Sequence, residues 1–284
     1  MRDHPLFVPF RGDHLAAVVT TPEQTARGLV VFLQGAGGAT RTHRYRLWTR
    51  AARRLAGDGI ASVRMDYRGI GDSTGAYAFE MEAPPVEEAL TVVTLVLDRL
   101  GLDGFGVVGN CIGARTAFGL AARTESCRSV ACILPMALGP VLERRGENGV
   151  ASLGASTAKL LPGRVAHWAS RVRRLGPFGG RPDLRFIPEV SIAVRGGTKV
   201  LFLHGGTEES RQRLVAGAKA LPAVALGEGA SPVQIWRMPA EGTSGFRPLE
   251  TQRVVVDSVT EWMDRTLPVS AADARSTRRS AGAA

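Results

Sequence analysis

The residue with the most evident chemistry is Cys111, at the centre of Gly109-Asn110-Cys111-Ile112-Gly113. Phe105 to Gly109 reads as a strand and Ile112 to Ala122 as a helix, so the cysteine occupies a sharp strand-to-helix turn. Glycines flank it because side chains there would collide with the neighbouring strand and helix. Held in that way, Cys111 projects over the sheet edge at a helix N-terminus, where the helix dipole and unpaired backbone N–H groups favour thiolate over thiol. A thiolate in that place attacks carbonyl carbon. The plainer alternative is a buried structural cysteine in a glycine-containing turn.

The elements that must position Cys111 follow from periodicity. Leu6 to Phe10 and Leu15 to Thr20 flank a turn at Arg11-Gly12-Asp13 and read as an antiparallel pair. Leu29-Val-Val-Phe-Leu33 is a short, wholly apolar run of the kind found in a strand covered on both faces, and it ends in the glycine-rich turn Gln34-Gly-Ala-Gly-Gly38. Helices are predicted over Trp48 to Leu55 and Val86 to Leu100, with a strand over Ile60 to Asp66 between them. Strands at Val130 to Pro135, Lys199 to Leu203 and Val233 to Met238 follow, with helices near Ser210 to Leu221 and at Leu249 to Leu267. Such alternation predicts an α/β fold with a mostly parallel sheet and helices on both faces.

With these elements in place, the sequence resembles the α/β-hydrolase superfamily from about Leu6 to Leu267. The Cys111 turn looks like its nucleophile elbow, with cysteine in the usual serine position. Gln34-Gly35-Ala36-Gly37-Gly38 looks like its oxyanion loop. Asp66-Tyr67-Arg68-Gly69-Ile70-Gly71-Asp72-Ser73 resembles its Asp-x-Arg-Gly-x-Gly-x-Ser turn, and His204-Gly205-Gly206-Thr207-Glu208 its His-Gly-x-x-Asp segment. Cysteine elbows of this kind are similar to those of dienelactone hydrolases and some acyl-CoA amino-acid acyltransferases. The resemblance therefore implies acyl transfer on an ester or thioester, as in a thioesterase, esterase or acyltransferase. In that scheme Cys111 attacks, and the backbone N–H groups of Ala36 and Ile112 hold the oxyanion. Glu208, with Glu209 beside it, matches the orienting acid. Gln34, Gly35, Gly37, Ser244 and Trp168 are the expected substrate-binding residues.

The chain departs from the pattern at the general base. After the last strand, where the resemblance leads one to expect His-Gly-Phe or His-Ser-Phe, it reads Ser244-Gly245-Phe246, and no histidine follows His204. His204 reads as a packing residue at a strand end. His43 and His167 are in reach of the elbow in principle, but each lies beside Arg or Trp on a predicted helix and reads more simply as partly exposed surface. A cysteine survives this loss better than a serine, because a thiol is already partly ionised near neutral pH. Water still needs a base, so weight moves from hydrolysis towards acyl transfer. Two alternatives are a lyase that eliminates an acyloxy group and a non-catalytic hydrolase relative that binds a ligand. Asp66 and Arg68 are expected to tie loops together, and Asn110 to bond neighbouring backbone.

Composition bounds the rest. The chain has 284 residues, 44% hydrophobic and 22% charged, which suits one sizeable core. Residues 1–135 and 196–267 are expected to form that core, 136–195 a small lid over the elbow, and 268–284 a disordered tail. Leu160, Leu161, Val165, Trp168, Val172 and Leu175 give the lid one apolar helix face. No apolar run reaches the roughly 20 residues of a membrane span and no signal peptide is visible, so a cytoplasmic protein is expected; the acyl-transfer activity implied by the resemblance is expected to serve specialised metabolism. Three cysteines without a CxxC pair make neither a disulfide framework nor a zinc ribbon, and with no dinucleotide fingerprint no cofactor or metal is expected. The net charge of +10 is mostly arginine. Arg41, Arg44, Arg46, Arg50, Arg53 and Arg54 are placed on one predicted helix and read as a solvated surface. The arginines of the lid could instead meet the phosphates of coenzyme A or an acidic acyl carrier protein. Nucleic-acid motifs are lacking.

Overall fold

Arg11 and Gly12 both carry positive φ, 49° and 84°, the backbone of a two-residue hairpin turn. They fold β1 (Arg2–Phe10) antiparallel onto β2 (Asp13–Thr21), with Phe10 opposite Asp13. The computed structural model describes residues 1–35, 39–77, 83–111, 113–133, 188–205, 231–238 and 246–267. In chain order these contribute β3 (Leu29–Leu33), α1 (Leu47–Gly57), β4 (Ala61–Met65), α2 (Val86–Leu100), β5 (Phe105–Asn110) and α3 (Gly113–Arg123). They continue with β6 (Cys127–Ile133), α4 (Pro188–Arg195), β7 (Lys199–His204), β8 (Val233–Arg237) and α5 (Leu249–Thr266).

The strands make one sheet in the order β1-β2-β4-β3-β5-β6-β7-β8. β2 pairs antiparallel with β4, and every pair from β4 to β8 is parallel. β3 and β5 are central and buried throughout. Residues of β3 alternate between two cores: Leu29, Val31 and Leu33 pack with α2 and α3, whereas Val30 and Phe32 pack with α1 and α5. Each fully buried Val or Leu in these cores contributes about 1.5–3 kcal/mol. A Cβ at Gly119 would stand 2.6 Å from Val86 Cγ2, so this glycine lets α3 approach α2 closely.

Where the described residues cover them, the expected elements are present with shifted ends. β1 begins at Arg2, β6 begins at Cys127, and α1 runs one residue beyond the predicted stretch on one side and two on the other. One helix was not expected. α4 lies within the stretch assigned to the lid, yet Val190, Ala193 and Val194 are buried in the core shared with α2 and α3. Its signals are Pro188 at the first position, Glu189 in the first turn and Gly196-Gly197 after the end. The rest of the lid, the helix near Ser210 to Leu221 and the tail lie outside the described residues.

The arginine cluster is distributed differently from the expectation. Only Arg50, Arg53 and Arg54 lie on α1, because Arg41, Arg44 and Arg46 precede it. Arg41 bonds Asp66 and Asp72, Arg50 donates to Gln252 Oε1, Arg54 pairs with Asp257 and Arg53 approaches Asp3 at 3.8 Å. Three of the six, Arg41, Arg53 and Arg54, thus face carboxylates within the fold. Among the described residues no helix is long and apolar enough to cross a membrane.

Candidate active site

β5 ends at Asn110, and Cys111 then adopts φ 54°, a left-handed conformation that a cysteine rarely takes. Its N–H donates to the Ile133 carbonyl at 2.9 Å, and its own carbonyl accepts from Ala114 N at 3.2 Å as α3 opens. The flanking glycines answer to contacts. A Cβ at Gly109 would lie 2.8 Å from Ala114 Cα, and one at Gly113 would run into the carbonyl of Gln34. Because that carbonyl belongs to the backbone, it cannot swing away. Gly113→Ala is expected to cost about 1–3 kcal/mol through forced backbone shifts and to slow alkylation of Cys111, as read by denaturant melts and thiol labelling.

The three thiols differ sharply. Cys127 and Cys132 are buried, and burial pushes Cys127 up to about 12 and Cys132 well above the ordinary thiol range. Cys111 is the one with partial exposure.

The end of β3 adjoins the elbow. A Cβ at Gly35 would stand 3.2 Å from Asn110 O and 3.5 Å from Cys111 Cβ. Gln34 is fully buried, its Oε1 accepting from Trp48 Nε1 at 2.9 Å and its carbonyl accepting from the Tyr67 hydroxyl at 3.3 Å. Trp48 stacks on Phe32 and lies against His43, whose ring also meets Phe246. Asn110 Nδ2 donates to His43 Nε2 at 2.9 Å, so the amide pairs with a side chain and not with neighbouring backbone as expected.

Asp66 has no solvent exposure and gathers the loop beyond β3. It accepts from Arg41 N at 2.5 Å and from the Arg41 guanidinium, and more distantly from Asp72 N at 3.4 Å. Burial pushes its carboxyl above the usual range despite these donors. Arg68 Nε and Nη2 both donate to Asp13 Oδ2, at 2.9 and 2.5 Å. Both side chains therefore tie loops together.

Comparison with known proteins decides the fold. A family model described as the alpha/beta hydrolase fold matches residues 28–168. Est1E from Butyrivibrio proteoclasticus, solved with ferulic acid bound, superposes with a TM-score of 0.64 at 18% identity, covering 92% of this chain and 98% of its own. The chain has the α/β-hydrolase fold. A Pyrococcus furiosus esterase is similar at TM-score 0.54 and 15% identity, covering 92% of this chain and 93% of its own. The dienelactone hydrolase of Anabaena variabilis superposes at 0.52 and 16% identity, with 94% and 99% covered. No curated protein matches the sequence.

Within this α/β-hydrolase fold, Cys111, Gln34 and Gly35 come together at the ends of β5 and β3. Ala36, Gly37, Ile112, Trp168, Glu208, Ser244 and the alternative histidine His167 lie outside the described residues. His204 ends β7, is buried, and accepts from Met238 N through its carbonyl at 2.7 Å. His43 corrects the sequence reading. It is 8% exposed, not surface, and it precedes the 3₁₀ turn Arg44–Arg46 instead of lying on a helix. Burial pushes its imidazole down to about 4, so the ring is neutral at pH 7. Trp48 reads from the sequence only as the first residue of a predicted helix. Its hydrogen bond to Gln34 has no periodic signature, and the one hint to His43 was its closeness in sequence to the glycine-rich turn.

Proposed function

We propose that Cys111 is the nucleophile of an acyl-transfer enzyme acting on a small ester or thioester. The observation that carries this reading is the partly exposed thiol held at φ 54° between β5 and α3, where the fold presents a nucleophile. The thiolate sulfur attacks the carbonyl carbon, forming a C–S bond. The alkoxide or thiolate leaving group then departs with a proton, and the acyl group passes from sulfur to an acceptor that regenerates the thiolate. Backbone N–H groups of Ala36 and Ile112 are assigned to the oxyanion, each donor worth about 3 kcal/mol. Glu208 is assigned as the acid, with Gln34, Gly35, Gly37, Ser244 and Trp168 around the substrate. Esterase neighbours, one of them holding ferulic acid, favour a small ester over a polymer. Coenzyme A or an acidic carrier protein suits the arginines of residues 136–195 as the thioester donor, in specialised metabolism.

The test is intact-protein mass after incubation with acyl-CoA, acyl-cysteamine and activated esters, comparing wild type with Cys111→Ala. An acyl mass increase confined to wild type is expected, discharged faster by an added amine or thiol than by water. An alkene product without adduct would replace acyl transfer by acyloxy elimination. Absence of both, with ligand binding retained, would leave a non-catalytic relative.

A further inference from the structure

The segment following the loop after β3 is unusual before any function is considered. His43 has φ 59° and ψ 170°, a backbone region that is essentially glycine's alone, and Tyr45 and Arg46 both follow with φ 55°. Each such residue costs about 1–3 kcal/mol and persists only where its surroundings over-determine it. Two backbone hydrogen bonds brace the segment, His43 N to Thr40 O at 2.8 Å and Trp48 N to Thr42 O at 3.2 Å. The outcome of this strain is the position of one ring. His43 is turned inward against Trp48, with centroids 4.8 Å apart, and against Phe246, at 5.4 Å. Its Nε2 then meets the side chain of Asn110, the residue directly before Cys111.

We propose that His43 is a positioning residue for Cys111, acting through Asn110 and not as the base that deprotonates the thiol. Both ring nitrogens have partners: Nδ1–H donates to the Arg44 carbonyl at 3.4 Å, and Nε2 accepts from Asn110 Nδ2 at 2.9 Å. An imidazole so engaged has its acceptor lone pair committed to an amide. What it does is stop rotation of the Asn110 side chain at the end of β5, one residue before the strained φ of Cys111. Gly113 sets the elbow against the Gln34 carbonyl, and His43 holds it through Asn110. Phe246, which seats the ring, directly follows the Ser244-Gly245 pair where the resembled enzymes place their base. A histidine from the β3 side thus packs against Phe246 while serving a different end.

This inference rests on Cys111 being the reactive residue, and its readout is alkylation of Cys111 by iodoacetamide, which needs no acyl donor. Rates are followed from pH 6 to 9 by intact mass for wild type, His43→Phe, His43→Gln and Asn110→Ala. His43→Phe is expected to slow alkylation about tenfold or more, the scale of a small displacement of a reacting group. His43→Gln, whose Oε1 offers Asn110 an acceptor near the place of Nε2, restores most of the rate. The pH midpoint of alkylation stays the same in both. Asn110→Ala removes the other end of the contact and reproduces the loss, with no further loss on combination with His43→Phe, so the test survives if one variant fails to fold. The proposal is overturned if His43→Gln is as impaired as His43→Phe with a shifted midpoint, which would make His43 the proton acceptor. It is equally overturned if neither His43→Phe nor Asn110→Ala changes the rate. Normal alkylation in wild type with no acyl adduct would count against the acyl-transfer reading and leave this inference standing.

Discussion

Cys111→Ser is expected to reduce acyl acceptance to background, at least about a hundredfold below wild type, the smallest contribution a positioned general base makes when a hydroxyl must be activated. In a complete triad serine is the ordinary nucleophile, and the exchange would be tolerated in part. Here the segment after β8 carries Ser244 in place of the expected histidine, and the one histidine described beside the elbow has both nitrogens engaged. A free thiol near pH 7 is already a few per cent thiolate and strongly nucleophilic, whereas a hydroxyl without a base is almost wholly protonated. The substitution replaces sulfur by oxygen on the same Cβ, so the elbow should keep its fold, and melting temperature should barely move. Single-turnover acylation by a thioester, followed by mass, separates the cases. A serine variant retaining a tenth or more of the wild-type rate would require a general base that neither Ser244 nor His43 supplies.

How far the sequence foretold this site depended on whether a signal was local. The elbow was legible because Gly109 and Gly113 answer to nearby backbone, and a strand, a turn and a helix follow one another without interruption. The sheet was legible for the same reason: runs such as Leu29–Leu33 have no polar face to show, so they must be buried on both sides. α4 was hidden because eight residues hold too few turns for a clear period, and its neighbours in sequence are irregular. His43 was hidden for a different reason. Nothing about a histidine between Thr42 and Arg44 indicates that the backbone will turn it inward, since the partners that hold it, Asn110 and Phe246, are 67 and 203 residues away. Of the neighbouring arginines that make it look like surface, Arg44 and Arg46 are indeed exposed, whereas Arg41 turns to Asp66 and Asp72. Burial of a polar ring is a tertiary fact, and only the chain's return through β5 and through Phe246, just before α5, creates it.

That burial leads to the second expected result, a dependence of stability on pH that belongs to His43. Its imidazole titrates at about 4 in the folded protein against an ordinary value of 6.5, chiefly because burial disfavours the charged ring. The unfolded chain therefore holds more protons than the folded one between these values, and stability rises with pH across the window. Above pH 6.5 the ring is neutral in both states and contributes no slope. As pH falls through 6.5 the unfolded state is favoured progressively, until below 4 the loss reaches about 3 kcal/mol, from 1.36 kcal/mol per unit. Asp66 and Glu88, whose carboxyls burial pushes up, work in the opposite sense, since their ionisation is disfavoured in the folded protein as pH rises. Their effect cancels when wild type is compared with His43→Gln, which keeps an acceptor for Asn110 and cannot be protonated. Urea melts of the two proteins at pH 4, 5, 6 and 7 should show the variant gaining on wild type by about 3 kcal/mol from pH 7 to pH 4. A difference that stays constant over that range would mean the ring takes up its proton in place, with the Asn110 amide turning to present Oδ1 to Nε2–H. Such an elbow would keep the His43–Asn110 contact in acid, with donor and acceptor exchanged.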